Sequence, residues 1–379
     1  MEDSKRIVWI DWLRVIACLM VMFVHSTEPF YLGGNGSLIE SESDAWWVSF
    51  FDSFVRSCVP LFVIASSFLL LPLQYPAGTF FKKRAVRILI PFAVWSVFYA
   101  IYWGEPVSNL KDLLFNFNYA AGHLWFVYML VGLYLIIPVL SPWARNVGKK
   151  ELSVYIAIWL LSTLVPFVRD ALSSEPLAIT YGPTGIPRQA LLPLWGEASW
   201  NTYGTFYYVS GFLGYMLVGL WLRKFGADLS LRKTLLAGIP CFLGGFFICL
   251  FGFLRRVFSM ADGNFPVGNI VADAVWWETT WCNDTFGVAL MTIGSILLIM
   301  KISNCGKFYE RVIAPVAKAS YGIYLGHMVA LSFYSGLFRS LMESTPLVIL
   351  ATAIASFVTV SVAAVAVRKI PVVGKFIVG

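Results

Sequence analysis

IVWIDWLRVIACLMVMFVHSTEPFY, residues 7–31, is the stretch that decides how the chain is read. It is apolar for long enough to cross a bilayer, which takes about 20 residues of helix. Yet it contains Asp11, Arg14, His25 and Glu28. With Asp11 at zero and about 100° per residue, Arg14 falls near ~300°, His25 near ~320° and Glu28 near ~260°. All four therefore share one arc of about 100°. The other side carries Trp9, Trp12, Ile16, Leu19, Phe23 and Phe30, a face suited to lipid. Ionisable groups inside a span are expensive and turn toward the protein interior, so this polar seam is the first candidate for function.

Composition sets the class. The 379 residues are 59% hydrophobic and 13% charged, with mean hydropathy +0.74. A soluble domain carries about 25% charged residues, so the expectation is an all-α polytopic membrane protein forming a single domain over 1–379. Net charge is +7. In a membrane chain that surplus reports topology, and it gives a nucleic-acid role little support. Cys18, Cys58, Cys241, Cys249, Cys282 and Cys305 contain no CxxC pair, so neither a disulfide framework nor a metal site is expected. No cleavage site follows the first apolar stretch, which should remain as an anchor.

Ten apolar spans are expected, at about 7–30, 46–72, 86–103, 122–140, 152–168, 203–222, 235–253, 284–301, 320–338 and 346–367. The connecting loops then sort by charge. One set holds Lys5 and Arg6, then Lys82, Lys83, Arg84 and Arg87, then Arg145, Lys149 and Lys150, then Arg223, Lys224, Arg232 and Lys233, then Lys301, Lys307, Arg311 and Lys318, and last Arg368, Lys369 and Lys375. The alternating set holds only Lys111, Arg169, Arg188, Arg255, Arg256 and Arg339. By the positive-inside rule both termini are expected in the cytoplasm. The outer loops 169–202 and 254–283 are long and rich in Trp, Pro and Gly. Trp195, Trp200, Trp276, Trp277 and Trp281 could stack on sugar rings or could form the aromatic belt of any membrane protein. There is no internal repeat.

The chain has three histidines. His123 opens the fourth span at its outer end, and His327 lies about two turns into the ninth span. Each reads equally as a hydrogen-bonded packing residue. His25 is distinguished by Glu28, one turn on along the same face, which can fix its tautomer and support its charge. A carboxylate beside a buried imidazole is a common way to tune a base. Arg14 lies about 16 Å down the same helix face. One elongated ligand could touch both ends, and coenzyme A has that anatomy, with phosphates suited to an arginine fork at one end and a thioester at the other. Asp11, one turn before Arg14, could instead neutralise it. The basic segment Phe80–Pro91 (FFKKRAVRILIP) could hold phosphates, touch anionic lipid or only set topology.

Five elements occur together and in order: the Arg14 and His25 spacing, VPLFVIASSFLLL at 59–71, FKKRAVRILIP at 81–91, HLWFVYMLVGLYLIIP at 123–138, and SYGIYLGH at 320–327. Together they resemble the acyltransferase-3 family of bacterial integral-membrane acyltransferases, from residue 7 to about 367. The resemblance implies transfer of an acyl group, commonly acetyl, from cytoplasmic acyl-coenzyme A to a carbohydrate or glycan hydroxyl at the bacterial inner membrane, with no metal. It implies that Arg14 and His25 are required and that a donor site lies near Lys83, Arg84 and Arg87. On this reading His25, oriented by Glu28, is the base, Arg14 joins the phosphate clamp, and Arg56 and His123 line the acceptor side. Arg56 reads equally as a helix–helix hydrogen-bond donor. One departure is Ser66-Ser67-Phe68, where the family usually has Ser-Gly-Phe or Ser-Gly-Tyr. Two other classes stay open from the residues alone. One is a transporter or flippase of a glycan or lipid-linked intermediate, since a His/Glu seam also serves proton coupling. The other is a polymerase or ligase of lipid-linked glycans.

Overall fold

The structure, a computed structural model, describes residues 6–32, 38–104, 106–112, 119–172, 194–196, 203–269 and 271–379. It is helical apart from one isolated bridge, in which Ile39 and Val267 exchange backbone hydrogen bonds of 2.9 and 3.0 Å. In order, the helices are α1 (Val8–Thr27), α2 (Glu42–Val55), α3 (Cys58–Leu70), α4 (Ala77–Arg84), α5 (Ile90–Tyr102) and α6 (Pro106–Asp112). There follow α7 (Trp125–Asn146), α8 (Lys149–Ser162), α9 (Val165–Leu172), α10 (Phe212–Phe225) and α11 (Leu231–Ala261). The chain ends with α12 (Val271–Trp277), α13 (Phe286–Ile299), α14 (Ala314–Leu341), α15 (Thr345–Arg368) and α16 (Val373–Ile377).

Among the described residues, seven helical stretches are long and apolar enough to cross a membrane, or eight when the bent pair 273–281 and 286–299 is taken as one span. Each of the ten expected stretches contains helix, but 203–222 is α-helical only from Phe212, and α10, at 14 residues, and α14, at 28, fall outside that set. Exposed apolar side chains cover the outer faces: Val97 and Leu135, Val139 and Leu236, Phe251 and Val362. So much exposed apolar surface fits a chain solvated by lipid rather than by water.

The opening stretch becomes the central helix. α1 packs against α2, α3, α13, α14 and α15, and Leu13, Ala17 and Met22 along it are fully buried. Two rings of its aromatic face meet neighbouring helices. Trp9 stands edge-on to Phe68 with ring centroids 4.9 Å apart, and Phe23 stacks on Phe51 at 5.9 Å. Pro29 has no backbone N–H to extend the ladder. The helix tightens there into a 3-10 turn, Glu28–Phe30, that keeps Glu28 beside the last turn of α1.

Lipid tails are as apolar as leucine, so helices in a bilayer associate largely through close packing of small residues. α11 and α13 do this at glycines. A Cβ on Gly245 would lie 2.4 Å from the Gly287 carbonyl, and one on Gly294 would lie 2.3 Å from the Phe242 nitrogen. Backbone cannot yield as a side chain does. Gly294→Ala is therefore expected to destabilise by about 1–3 kcal/mol, read as a lower Tm of the purified chain in detergent. At the Ser66-Ser67-Phe68 departure, α3 packs closely on a glycine of the partner helix. A Cβ on Gly219 of α10 would lie 2.8 Å from the Ser67 Cβ, and the Ser67 hydroxyl donates to the Met216 carbonyl at 2.6 Å.

Candidate functional site

Two features lie along α1. Toward its start is a cavity of about 510 Å³ whose lining includes Arg14, Arg84, Arg87, Lys318 and Arg368, with Tyr134, Tyr321 and Tyr324 between them. Its lining includes no Asp or Glu. Arg84 ends α4, and Arg87 sits in a single π-helical turn, Ala85–Leu89. Such turns recur where a helix is reshaped for function. Arg84 faces the rings of Phe80 and Tyr134 at 5.6 and 5.7 Å, and its buried Nε has no hydrogen-bond partner among the described residues. Arg368 donates to the Lys318 carbonyl, which places these two cations side by side.

Arg14 is half-buried and makes no side-chain hydrogen bond or ion pair with any described residue. Asp11 does not pair with it. The Asp11 carboxylate accepts from Arg6 Nε at 2.5 Å and from the Tyr309 hydroxyl at 2.6 Å. Tyr309 stands in a second π-helical turn, Tyr309–Ile313, ahead of α14. The question of Asp11 is thus resolved by geometry: it anchors the start of α1 and leaves Arg14 open to the cavity. Lys83 is set apart from the other three expected cations. Its ammonium lies 4.3 Å over the Tyr75 ring, and it does not line the cavity.

At the other end of the seam, His25 Nδ1 lies 2.8 Å from Glu28 Oε1, the pairing expected from their spacing. The sequence did not anticipate what lies beside it. The His25 and His327 ring centroids are 5.0 Å apart, and those of His327 and His123 are also 5.0 Å apart. All three histidines of the chain thus meet, from α1, from the 3-10 segment Tyr119–Leu124 and from α14. His327 is fully buried and His123 is 7% exposed. His327 Nδ1 contacts the Tyr324 carbonyl, and its Nε2, like His123 Nε2, has no hydrogen-bond partner among the described residues. α14 begins at Ala314, ahead of the expected start of its span at 320, and brings His327 level with His25. His327 lies about 20 Å along α14, and His25 about 26 Å along α1, at 1.5 Å per residue.

Arg56 belongs to a separate, self-satisfied network. It pairs with Asp52, with its Nη2 at 2.9 Å from Oδ2, and lies 3.6 Å from Glu278 and 4.5 Å over the Trp281 ring. Asp52 is fully buried and also accepts from the Thr27 hydroxyl at 2.7 Å. Breaking such a pair costs about 3–5 kcal/mol, so Arg56 serves as a brace between helices rather than a free substrate ligand. Asp52, four residues before Arg56, was the available signal for this in the sequence. Trp277 and Trp281 are buried too, Trp281 stacked 3.9 Å from Phe253, and neither offers a face to a sugar. Trp195 is exposed, and Trp200 and Arg188 lie outside the described residues. No group of three or more potential metal ligands occurs among the described residues.

A family model described as an acyltransferase domain matches residues 7–368, nearly the whole chain. Comparison with curated proteins yields no match, and neither does comparison with solved structures.

Proposed function

The chain belongs to the acyltransferase-3 family whose domain model it matches, and from that premise we propose that this membrane acyltransferase takes its acyl group, acetyl in the first instance, from acyl-coenzyme A and transfers it to a carbohydrate hydroxyl. The observation that carries the reading is the cavity in which Arg14, Arg84, Arg87, Lys318 and Arg368 gather with no Asp or Glu in the lining, and whose lining includes Tyr324, one turn from His327. Clustered cations in a half-buried site call for an anion. The diphosphate and 3′-phosphate of coenzyme A supply several negative charges, and arginine forks match phosphate oxygens. Lys318 and Arg368 take the place expected for Lys83. The basic end of the bundle then faces the cytoplasm, where acyl-coenzyme A is made, and the membrane is the bacterial inner membrane.

In this proposal the pantetheine arm follows the seam of α1 toward the histidines. His25 Nε2 removes the proton of the acceptor hydroxyl while Glu28 holds Nδ1–H and offsets the developing positive charge. The oxygen attacks the thioester carbon, the carbon–sulfur bond breaks, and coenzyme A leaves as the thiol once its sulfur is protonated.

The test is direct. Membranes carrying the full chain are given acetyl-coenzyme A labelled in the acetyl group, and the carbohydrate fraction is counted. Label in ester linkage to carbohydrate, absent from control membranes, is the expected result. Chain-dependent movement of unmodified glycan across the membrane without acyl transfer would replace this reading with the transporter one.

A further inference from the structure

We propose that His327 is the proton relay of the reaction, passing to the leaving sulfur the proton that His25 takes from the acceptor. The inference rests on the reading of His25 as base, and it adds a residue, a direction and a separable step.

Three observations carry it. First, His327 occupies the gap between the donor cavity and His25. Tyr324, one turn earlier on α14, lines the cavity, its ring centroid is 5.7 Å from that of His327, and the His25 ring lies 5.0 Å further on. A thioester arriving past Tyr324 meets His327 before it meets His25. Second, the tautomer of His327 is fixed by its contact with Tyr324. A carbonyl oxygen only accepts, so the nitrogen against it, Nδ1, must carry the hydrogen. Nε2 then carries a lone pair, fully buried and with no hydrogen-bond partner among the described residues. Buried polar atoms in folded chains are satisfied almost without exception, and those left open tend to have a task. Third, His25 has the matching arrangement. The Glu28 carboxylate, 2.8 Å from Nδ1, favours a proton on that nitrogen, which leaves Nε2 as the base. Two neutral imidazoles side by side, each with one free lone pair, have room for one proton between them.

The step balances. The acceptor hydroxyl gives its proton to His25 Nε2, and its oxygen forms the new ester bond. The thioester carbon–sulfur bond breaks with its electron pair on sulfur. His25 Nε2 passes the proton to His327 Nε2, which delivers it to that sulfur. Both imidazoles end neutral, and no oxidant or co-reactant is required. His123, 5.0 Å from His327 and edge-on to Tyr99 at 4.8 Å, closes the far side of the relay against the bundle.

A residue that protonates the leaving group matters only when the leaving group needs a proton. The experiment therefore compares two donors on the full chain in membranes, read as release of free thiol: acetyl-coenzyme A and 4-nitrothiophenyl acetate, whose thiol leaves readily as the anion. His327→Gln is expected to slow release from acetyl-coenzyme A by about 10²–10³-fold and to keep nearly the parent's rate with the aryl thioester. Equal losses with both donors would make His327 a structural residue, and an undiminished rate with acetyl-coenzyme A would also overturn the relay. His25→Ala should lose activity with both donors. If it does not, the base assignment fails, whereas the contrast between donors in His327→Gln still decides whether His327 protonates sulfur. Should His327→Gln not fold, the parent gives the answer through a series of acetyl thioesters of falling thiol pKa. A shallow dependence of rate on thiol pKa supports the relay, and a steep one contradicts it.

Discussion

His25→Ala is expected to lower acyl transfer by about 10²–10⁴-fold, the range for loss of a positioned base, while donor affinity stays close to that of the parent. The split follows from position. His25 is at the far end of the seam from the cations, and its one charged contact is Glu28, at 2.8 Å. It has no share in the cavity that would hold the phosphates. Glu28→Gln should fall between the parent and His25→Ala, because the amide still accepts from Nδ1–H but no longer offsets the charge on the imidazolium. Steady-state transfer of labelled acetyl, with donor affinity measured separately by coenzyme A binding, checks both points. A fall in donor affinity alone in His25→Ala would move His25 out of the reacting end.

Arg14→Ala should show the opposite pattern. A hydrogen bond to a charged group is worth about 1.5–3 kcal/mol, so donor affinity should weaken by about 10- to 100-fold while kcat changes less. The unliganded variant should be no less stable than the parent. Arg14 makes no hydrogen bond or ion pair with the described protein and shares its cavity with four other cations, so its removal relieves repulsion. Arg14→Lys restores charge without the fork and should recover part of the affinity. Thermal unfolding with and without coenzyme A reads both effects, since a ligand of the native state raises Tm in proportion to its affinity. Loss of stability without coenzyme A, and no change in the shift it gives, would make Arg14 a packing residue.

The parts of this site that could be read from sequence are those that depend on one helix. The Arg14-to-His25 seam and the pairing of His25 with Glu28 follow from 3.6 residues per turn, and α1 is a regular helix of 20 residues. The parts that could not be read depend on how helices meet. Counting sets Lys83 and Arg84 about 100° apart on α4 without saying which faces a cavity, and the π-helical turn Ala85–Leu89 shifts the register between Arg84 and Arg87. Lys318 and Arg368 were legible only as cations that set topology, and their meeting at one cavity is a product of α14 packing on α15. The meeting of His327 with His25 was not legible, because a count along one span does not say which residues of two helices lie level. Trp277 and Trp281 look the same in sequence whether they face a sugar or, as here, the protein interior. Asp11 had two readings, and the choice between them required Arg6 and Tyr309, the latter 298 residues away.

The central claim is that one ligand spans the seam from the cations to the histidines. Electron cryo-microscopy of the full chain with saturating coenzyme A tests it most directly. The account predicts phosphate density within hydrogen-bonding distance of Arg14, Arg84 and Arg87, flanked by Lys318 and Arg368, with the thiol directed past Tyr324 toward His327 and His25. Coenzyme A bound elsewhere on the chain, or a cavity left empty at saturation, would contradict it.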